Sequence, residues 1–142
     1  MAETLLTGTW KCVSWENRDA AGKVDYPLGK DIIGYITYTP DGHILVQLMA
    51  AERPLIPDGE LFACTGEETI AAANSHVSYC GTYEIQPGGI VHHILEACSF
   101  PNWTGSVQER HFKVEGDRLT LSSPRFQSGG REISATVVWE RV

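Results

Sequence analysis

Short β-favouring runs, each cut off by a turn, occupy most of this 142-residue chain and leave it few ways to fold. Gly8 to Glu16, Ile32 to Thr39, Gly42 to Ala50, Tyr79 to Gln86, Ile90 to Cys98, Val107 to Glu115, Arg118 to Ser122 and Glu132 to Arg141 all read as strands. Between them, Asn17 to Gly22, Pro40-Asp41-Gly42, Pro87-Gly88-Gly89 and Glu115-Gly116-Asp117 supply the residues that tight reversals favour. Eight strand-like runs at such short spacing argue for a closed antiparallel barrel, because closure removes exposed edges. A flat two-sheet sandwich is the alternative.

Two segments break the pattern. Glu52 to Gly59 contains Pro54, Pro57 and Gly59 and reads as a surface loop. Thr65-Gly66-Glu67-Glu68 has the form of a capping box, and Ile70, Ala73 and Val77 follow at helical spacing, which predicts one short helix serving as a lid or plug.

Alternation assigns faces. In the last run Ile133, Ala135, Val137 and Trp139 share one side, so that strand is buried on one face. In Val107 to Glu115, the set Gln108, Arg110, Phe112 and Val114 should face inward, opposite Glu109, His111 and Lys113. Arg110 would then be a buried cation that needs a partner, either Glu96 or a ligand anion or carbonyl. An arginine at the barrel mouth bonded to backbone is the plainer reading. In the first run Trp10, Cys12 and Ser14 face away from Lys11. On Gly42 to Ala50, His43, Leu45, Gln47 and Met49 oppose Ile44, Val46 and Leu48; the cavity is wet if the first set faces in and dry if the second does, and periodicity does not choose.

The chemistry concentrates in Gly88 to Gly105, where two histidines and Glu96 lead into Phe100-Pro101-Asn102-Trp103. Adjacent strand residues point to opposite faces, so only one of His92 and His93 can enter a cavity. A histidine there is a ready general acid or base. Tyr83 is expected to face inward, where its hydroxyl either orients a carbonyl or bonds backbone as a core tyrosine. Phe100 and Trp103 form either an aromatic rim or a plug. Tyr38, His43, Gln47, Met49 and Phe112 complete the candidate ligand-binding set, with His92, His93, Arg110, Glu96 and Tyr83 as candidate catalytic groups.

Composition narrows the functions. Net charge is −7 and the eleven Lys and Arg residues are scattered, which argues against nucleic acid and anionic membrane surfaces as partners. No apolar run approaches the ~20 residues of a spanning helix, and Met1-Ala2-Glu3-Thr4-Leu5-Leu6 lacks the features of a signal peptide, so a cytoplasmic protein is expected. Cys12, Cys64, Cys80 and Cys98 form no Cys-x-x-Cys pair and read as four reduced, mostly buried thiols. At 42% hydrophobic residues a single domain over 1–142 is expected to fold unaided. There is no Gly-x-Ser-x-Gly elbow, phosphate-cradling loop, dinucleotide fingerprint or His-Glu-x-x-His, so no cofactor is expected. Zinc held from separate strands and haem on one histidine stay open, as do monomer and homodimer.

Gly8-Thr9-Trp10 on the first strand with Arg141 after the last resembles the lipocalin pattern. Tyr35 to His43, Gly81-Thr82-Tyr83-Glu84, Val91-His92-His93, Phe100-Pro101-Asn102-Trp103 and Gly116 to Leu121 extend the likeness to the intracellular lipocalin-like domain family of bacteria and fungi, from about Gly8 to Val142. The resemblance implies an up-and-down barrel around a small-molecule cavity, in a group that includes plain carriers as well as isomerases, hydratases and cyclases. The expectation is a cavity for a small hydrophobic, carbonyl-bearing metabolite, which is isomerised or cyclised without a cofactor or simply carried.

Overall fold

The computed structural model describes residues 4–57 and 59–142. Asp58 of the expected surface loop and Met1, Ala2 and Glu3 lie outside the described residues. In chain order the elements are β1 (Gly8–Asp19), β2 (Val24–Asp25), β3 (Ile32–Tyr38), β4 (His43–Ala50), α1 (Gly66–Asn74), β5 (His76–Gln86), β6 (Ile90–Cys98), a 3-10 turn (Pro101–Trp103), β7 (Val107–Glu115), β8 (Arg118–Ser122), β9 (Phe126–Ser128) and β10 (Arg131–Arg141). β1, β3, β4, β5, β6, β7, β8 and β10 pair in that order, and β10 closes antiparallel onto β1. The result is an eight-stranded antiparallel barrel with β2 and β9 as short additions.

The barrel is fastened where its first and last strands meet. Trp10 is fully buried, its indole N–H donates to the Leu6 carbonyl at 2.9 Å, and the Arg141 guanidinium lies 4.0 Å from its ring centroid. Arg141 also donates to the carbonyls of Thr7 and Leu5 at 2.8 and 3.1 Å. Leu6, Ile36, Tyr38, Ile44, Val91 and Leu119 fill this end of the barrel as a dry core.

Two bulges reset the alternation. The β1–β10 register shifts between Cys12 and Ser14, so Trp15 lies opposite inward Val137 and Asn17 opposite Ala135. The inward Trp10, Cys12, Ser14 series therefore ends at Cys12, and β1 runs on through the expected Asn17 turn to Asp19. A second shift on β5–β6 leaves Glu96 as the extra residue, exposed on the bulge. Beside it, Gly81 allows close approach, because a Cβ there would collide with the Ile94 carbonyl oxygen.

The α1 capping box forms as expected, with Thr65 accepting from the Glu68 amide and the Glu68 side chain from the Thr65 amide. The helix stops at Asn74, however, and Val77 belongs to β5. None of its residues is buried, so it does not plug the barrel. Arg53 holds its C-terminal end by donating to Ser75 Oγ at 2.9 Å and the Ala72 carbonyl at 3.1 Å. Among the described residues, no helix is long and apolar enough to cross a membrane. The four cysteines are free; only Cys12 is buried, and burial pushes its thiol up to about 12.

Candidate functional site

Opposite the dry core the barrel opens into a cavity of about 500 Å³. Leu48, Val77, Val137, Leu121 and the rings of Trp15 and Trp139 give it apolar walls, and Trp103 and Phe126 stand where the strands end. Gln108, Arg110, Asn17, Ser123 and Tyr79 are polar groups in its lining, together with Ser128, Arg125, which pairs with Glu132 at 3.3 Å, and Glu109, whose carboxylate lies toward His92 and His111. A mostly apolar hollow with a few placed polar groups is the usual form of a small-molecule site.

Arg110 is the charge in this lining that sequence periodicity places inward. Its guanidinium donates to Gln108 Oε1 at 2.8 Å and to the Glu109 carbonyl at 2.7 Å. No carboxylate among the described residues pairs with it, and the expected partner Glu96 is displaced to the surface by the bulge. The remaining guanidinium N–H groups are thus left for a cavity occupant. Trp139 Nε1, from another wall, is a buried donor with no acceptor among the described residues.

Beneath the cavity lies a polar cluster. His93 is fully buried, with Nε2 at 2.7 Å from the Tyr38 hydroxyl and Nδ1 at 3.0 Å from the Tyr79 hydroxyl. Burial first, then the nearby Arg110 and His92 charges, hold its pKa well below the ordinary 6.5, so the imidazole is neutral. Burial likewise raises the pKa values of Tyr38 and Tyr79, and both keep their protons.

His93 gives the fold a pH dependence. As pH falls through 6.5, the unfolded chain takes up a proton that the folded imidazole refuses. Stability should therefore be flat between about pH 7 and 8 and fall below 6.5, by at most about 1.4 kcal/mol per pH unit from this residue. His76, lowered by burial and by Arg53, acts in the same direction, whereas depressed Asp19 and Asp41 weaken the fold only in more acid solution. Thermal melts between pH 8 and 5 check this, and His93→Gln should remove most of the slope.

The other expected site residues scatter. His92 faces outward, 3.7 Å from Glu109, with His111 at 3.9 Å on the same carboxylate. Tyr83 donates to the Thr39 carbonyl at 2.7 Å and packs edge-on against Tyr38, as a core tyrosine does. Tyr38 itself belongs to the buried cluster and not to the cavity lining. On β4 the inward set is Ile44, Val46 and Leu48, because all three are buried while the alternating residues are not. His43 therefore sits outside near Asp41 at 3.3 Å, Met49 outside against Arg53, and Gln47 in an outer hollow. Phe100 is 49% exposed and stacks edge-on against Trp103 rather than lining the cavity, and Phe112 packs inward on the dry core. Trp103 does line the cavity.

Sequence reasoning missed Tyr79, Trp15 and Asn17. Tyr79 shares parity with Tyr83 across Gly81, a signal that was present in the alternation; the other two are turned inward only by the β1 bulge. The outer hollow, about 630 Å³ and lined by Tyr35, Leu45, Gln47, His76 and Cys80, is an open trough over the β3–β6 face. Among the described residues, no three His, Cys, Asp or Glu side chains gather as metal ligands. Haem ligation by His93 would require one of its tyrosine bonds to break.

An eight-stranded barrel seamed by Trp10 and Arg141 around an interior hollow is what the lipocalin likeness implies, and residues 7–142 match the lipocalin-like domain family. The chain belongs to that family. A relative, the 4'-hydroxy-3'-methoxypropiophenone carrier protein of Aspergillus oryzae, is 31% identical over 84 residues, covering 54% of this chain and 76% of that one. No solved structure matches the chain. Family and relative together support the binding of a small ligand by this lipocalin-like barrel.

Proposed function

We propose that this lipocalin-like barrel binds a small aromatic metabolite bearing a carbonyl, flat against the tryptophan walls and with its oxygen toward Arg110. The carrying observation is Arg110 itself, a guanidinium in an apolar cavity with no carboxylate partner among the described residues. Such a cation is best satisfied by an acceptor oxygen brought by the ligand. The name of the Aspergillus oryzae relative points to an aryl ketone as the first compound to try.

Trp15, Trp103 and Trp139, three of the four tryptophans, line the cavity, so ligand entry should quench intrinsic fluorescence. Titration with 4'-hydroxy-3'-methoxypropiophenone should saturate at one equivalent. Arg110→Met should weaken it by about 10- to 100-fold, the loss of a charge-assisted hydrogen bond. An unchanged Kd in that variant would remove Arg110 from the site.

A second reading is cofactor-free isomerisation or cyclisation of the bound compound. It draws on Arg110 and Tyr79 lining one cavity, two donors able to steady an enolate oxygen. Mass-neutral conversion of a ligand during incubation, followed by chromatography, tests it; recovery of unchanged ligand from a saturated complex argues for the carrier.

A further inference from the structure

We propose that Tyr79 is the specificity-determining donor of the cavity, its hydroxyl proton turned to the ligand because Tyr38 and His93 fix the order of hydrogen bonds beneath it. The part that concerns the ligand rests on the function proposed above. The part that concerns the proton order does not.

A neutral imidazole has one N–H and one bare nitrogen, and His93 meets a tyrosine hydroxyl at each. Two orders are available. In the first, Tyr38 donates to Nε2, Nδ1–H donates to the Tyr79 oxygen, and the Tyr79 proton is free. In the second, Tyr79 donates to Nδ1, Nε2–H donates to the Tyr38 oxygen, and the Tyr38 proton is free. The two differ in where they leave a donor without a partner.

Tyr38 is 0% exposed, and its hydroxyl has no other hydrogen-bond partner among the described residues. The second order would strand its proton in the core, at a cost that disfavours it by about tenfold or more. Tyr79 is half-buried and lines both the cavity and the outer trough, so its proton has open space to turn to where that of Tyr38 has none. A doubly protonated imidazole would place a cation in a fully buried position near Arg110 with no carboxylate beside it.

Tyr79 and Arg110 then present two donors to one cavity. The site selects a ketone, aldehyde or phenolate oxygen over a hydrocarbon of the same shape, since a ligand without that oxygen leaves both unpaired. His93 and Tyr38 act as positioning residues through Tyr79.

The test has two arms. Nitrogen-15 NMR of the ligand-free protein should show His93 with Nδ1 protonated and Nε2 bare; the opposite tautomer, or an average of the two, overturns the proton order whatever the cavity binds. The second arm compares propiophenone with propylbenzene, which differ by the carbonyl. The native protein should prefer the ketone by about 100-fold or more, since both donors contribute; Tyr79→Phe should cut that preference about tenfold by weakening the ketone alone, and Tyr38→Phe should erode it. The carbonyl stretch of bound propiophenone should shift down in the native protein and return upward in Tyr79→Phe. Equal weakening of both compounds, or an unmoved carbonyl band, overturns the assignment of Tyr79. Failure of both compounds to bind the native protein counts against the proposed function and leaves the tautomer to stand or fall on its own spectrum.

Discussion

The Ala135→Trp variant is expected to lose ligand binding by at least about 100-fold while remaining folded, a change of about 2.7 kcal/mol in binding free energy. Ala135 sits on the inward face of β10, opposite Asn17, and lines the cavity. Its backbone is held by Ser123, with N–H to hydroxyl and amide to carbonyl both at 2.9 Å, so a large side chain must grow into the hollow. The indole fills space the ligand needs, and because the site is empty of protein atoms the overpacking penalty stays near the low end of about 1–3 kcal/mol. Fluorescence titration and circular dichroism read the two effects separately. The variant also separates the two hollows of the molecule, because the outer trough over β3–β6 is untouched. Native affinity in this variant would move the ligand to that outer face and sink the cavity assignment.

Trp10→Ala should cost about 3–5 kcal/mol of stability, enough to consume much of what a domain of this size has. The indole is, with that of Trp139, the largest fully buried side chain, and its removal does three things at once. It opens a void at the closed end, leaves the Leu6 carbonyl without its donor, and takes away the ring on which Arg141 rests. Trp10→Phe keeps a ring for Arg141 and should recover part of the loss. Urea denaturation of the three proteins checks the order, and a Trp10→Ala midpoint close to native would show that the seam is held by β1–β10 backbone pairing alone.

The sequence made the barrel legible because its turns are chemically loud. Pro40-Asp41-Gly42 and Glu115-Gly116-Asp117 end strands within a residue of where the structure ends them, and Gly42 takes a φ of 93° that few other residues tolerate. Parity was legible on β10, where one face is largely apolar and the other mostly polar, and on β7, where Phe112 and Val114 fall on the face opposite Glu109, His111 and Lys113. On β4 both faces carry large apolar side chains, Leu45 and Met49 against Ile44 and Leu48, so alternation had no contrast to read; His43, Gln47 and Met49 turned out to face away from the cavity. Bulges were invisible for a different reason. One inserted residue near Val13 inverts every later assignment on β1 without changing composition, which hid Trp15 and Asn17. The short β2 and β9 were likewise unreadable, being two and three residues long.

The seam between β1 and β10 has a consequence for how the molecule is made. Every other ladder of the closed barrel joins strands that are neighbours, or next to neighbours, along the chain, and can zip up from a local loop. This one must bring Trp10 to Arg141, so its entropy cost is met only after the meander between them has ordered. Until that moment both strands are open edges, free to pair with the complementary edge of a second molecule and exchange one for the other. The last step of folding is therefore also the step at which protein concentration decides between a closed barrel and a strand-swapped assembly.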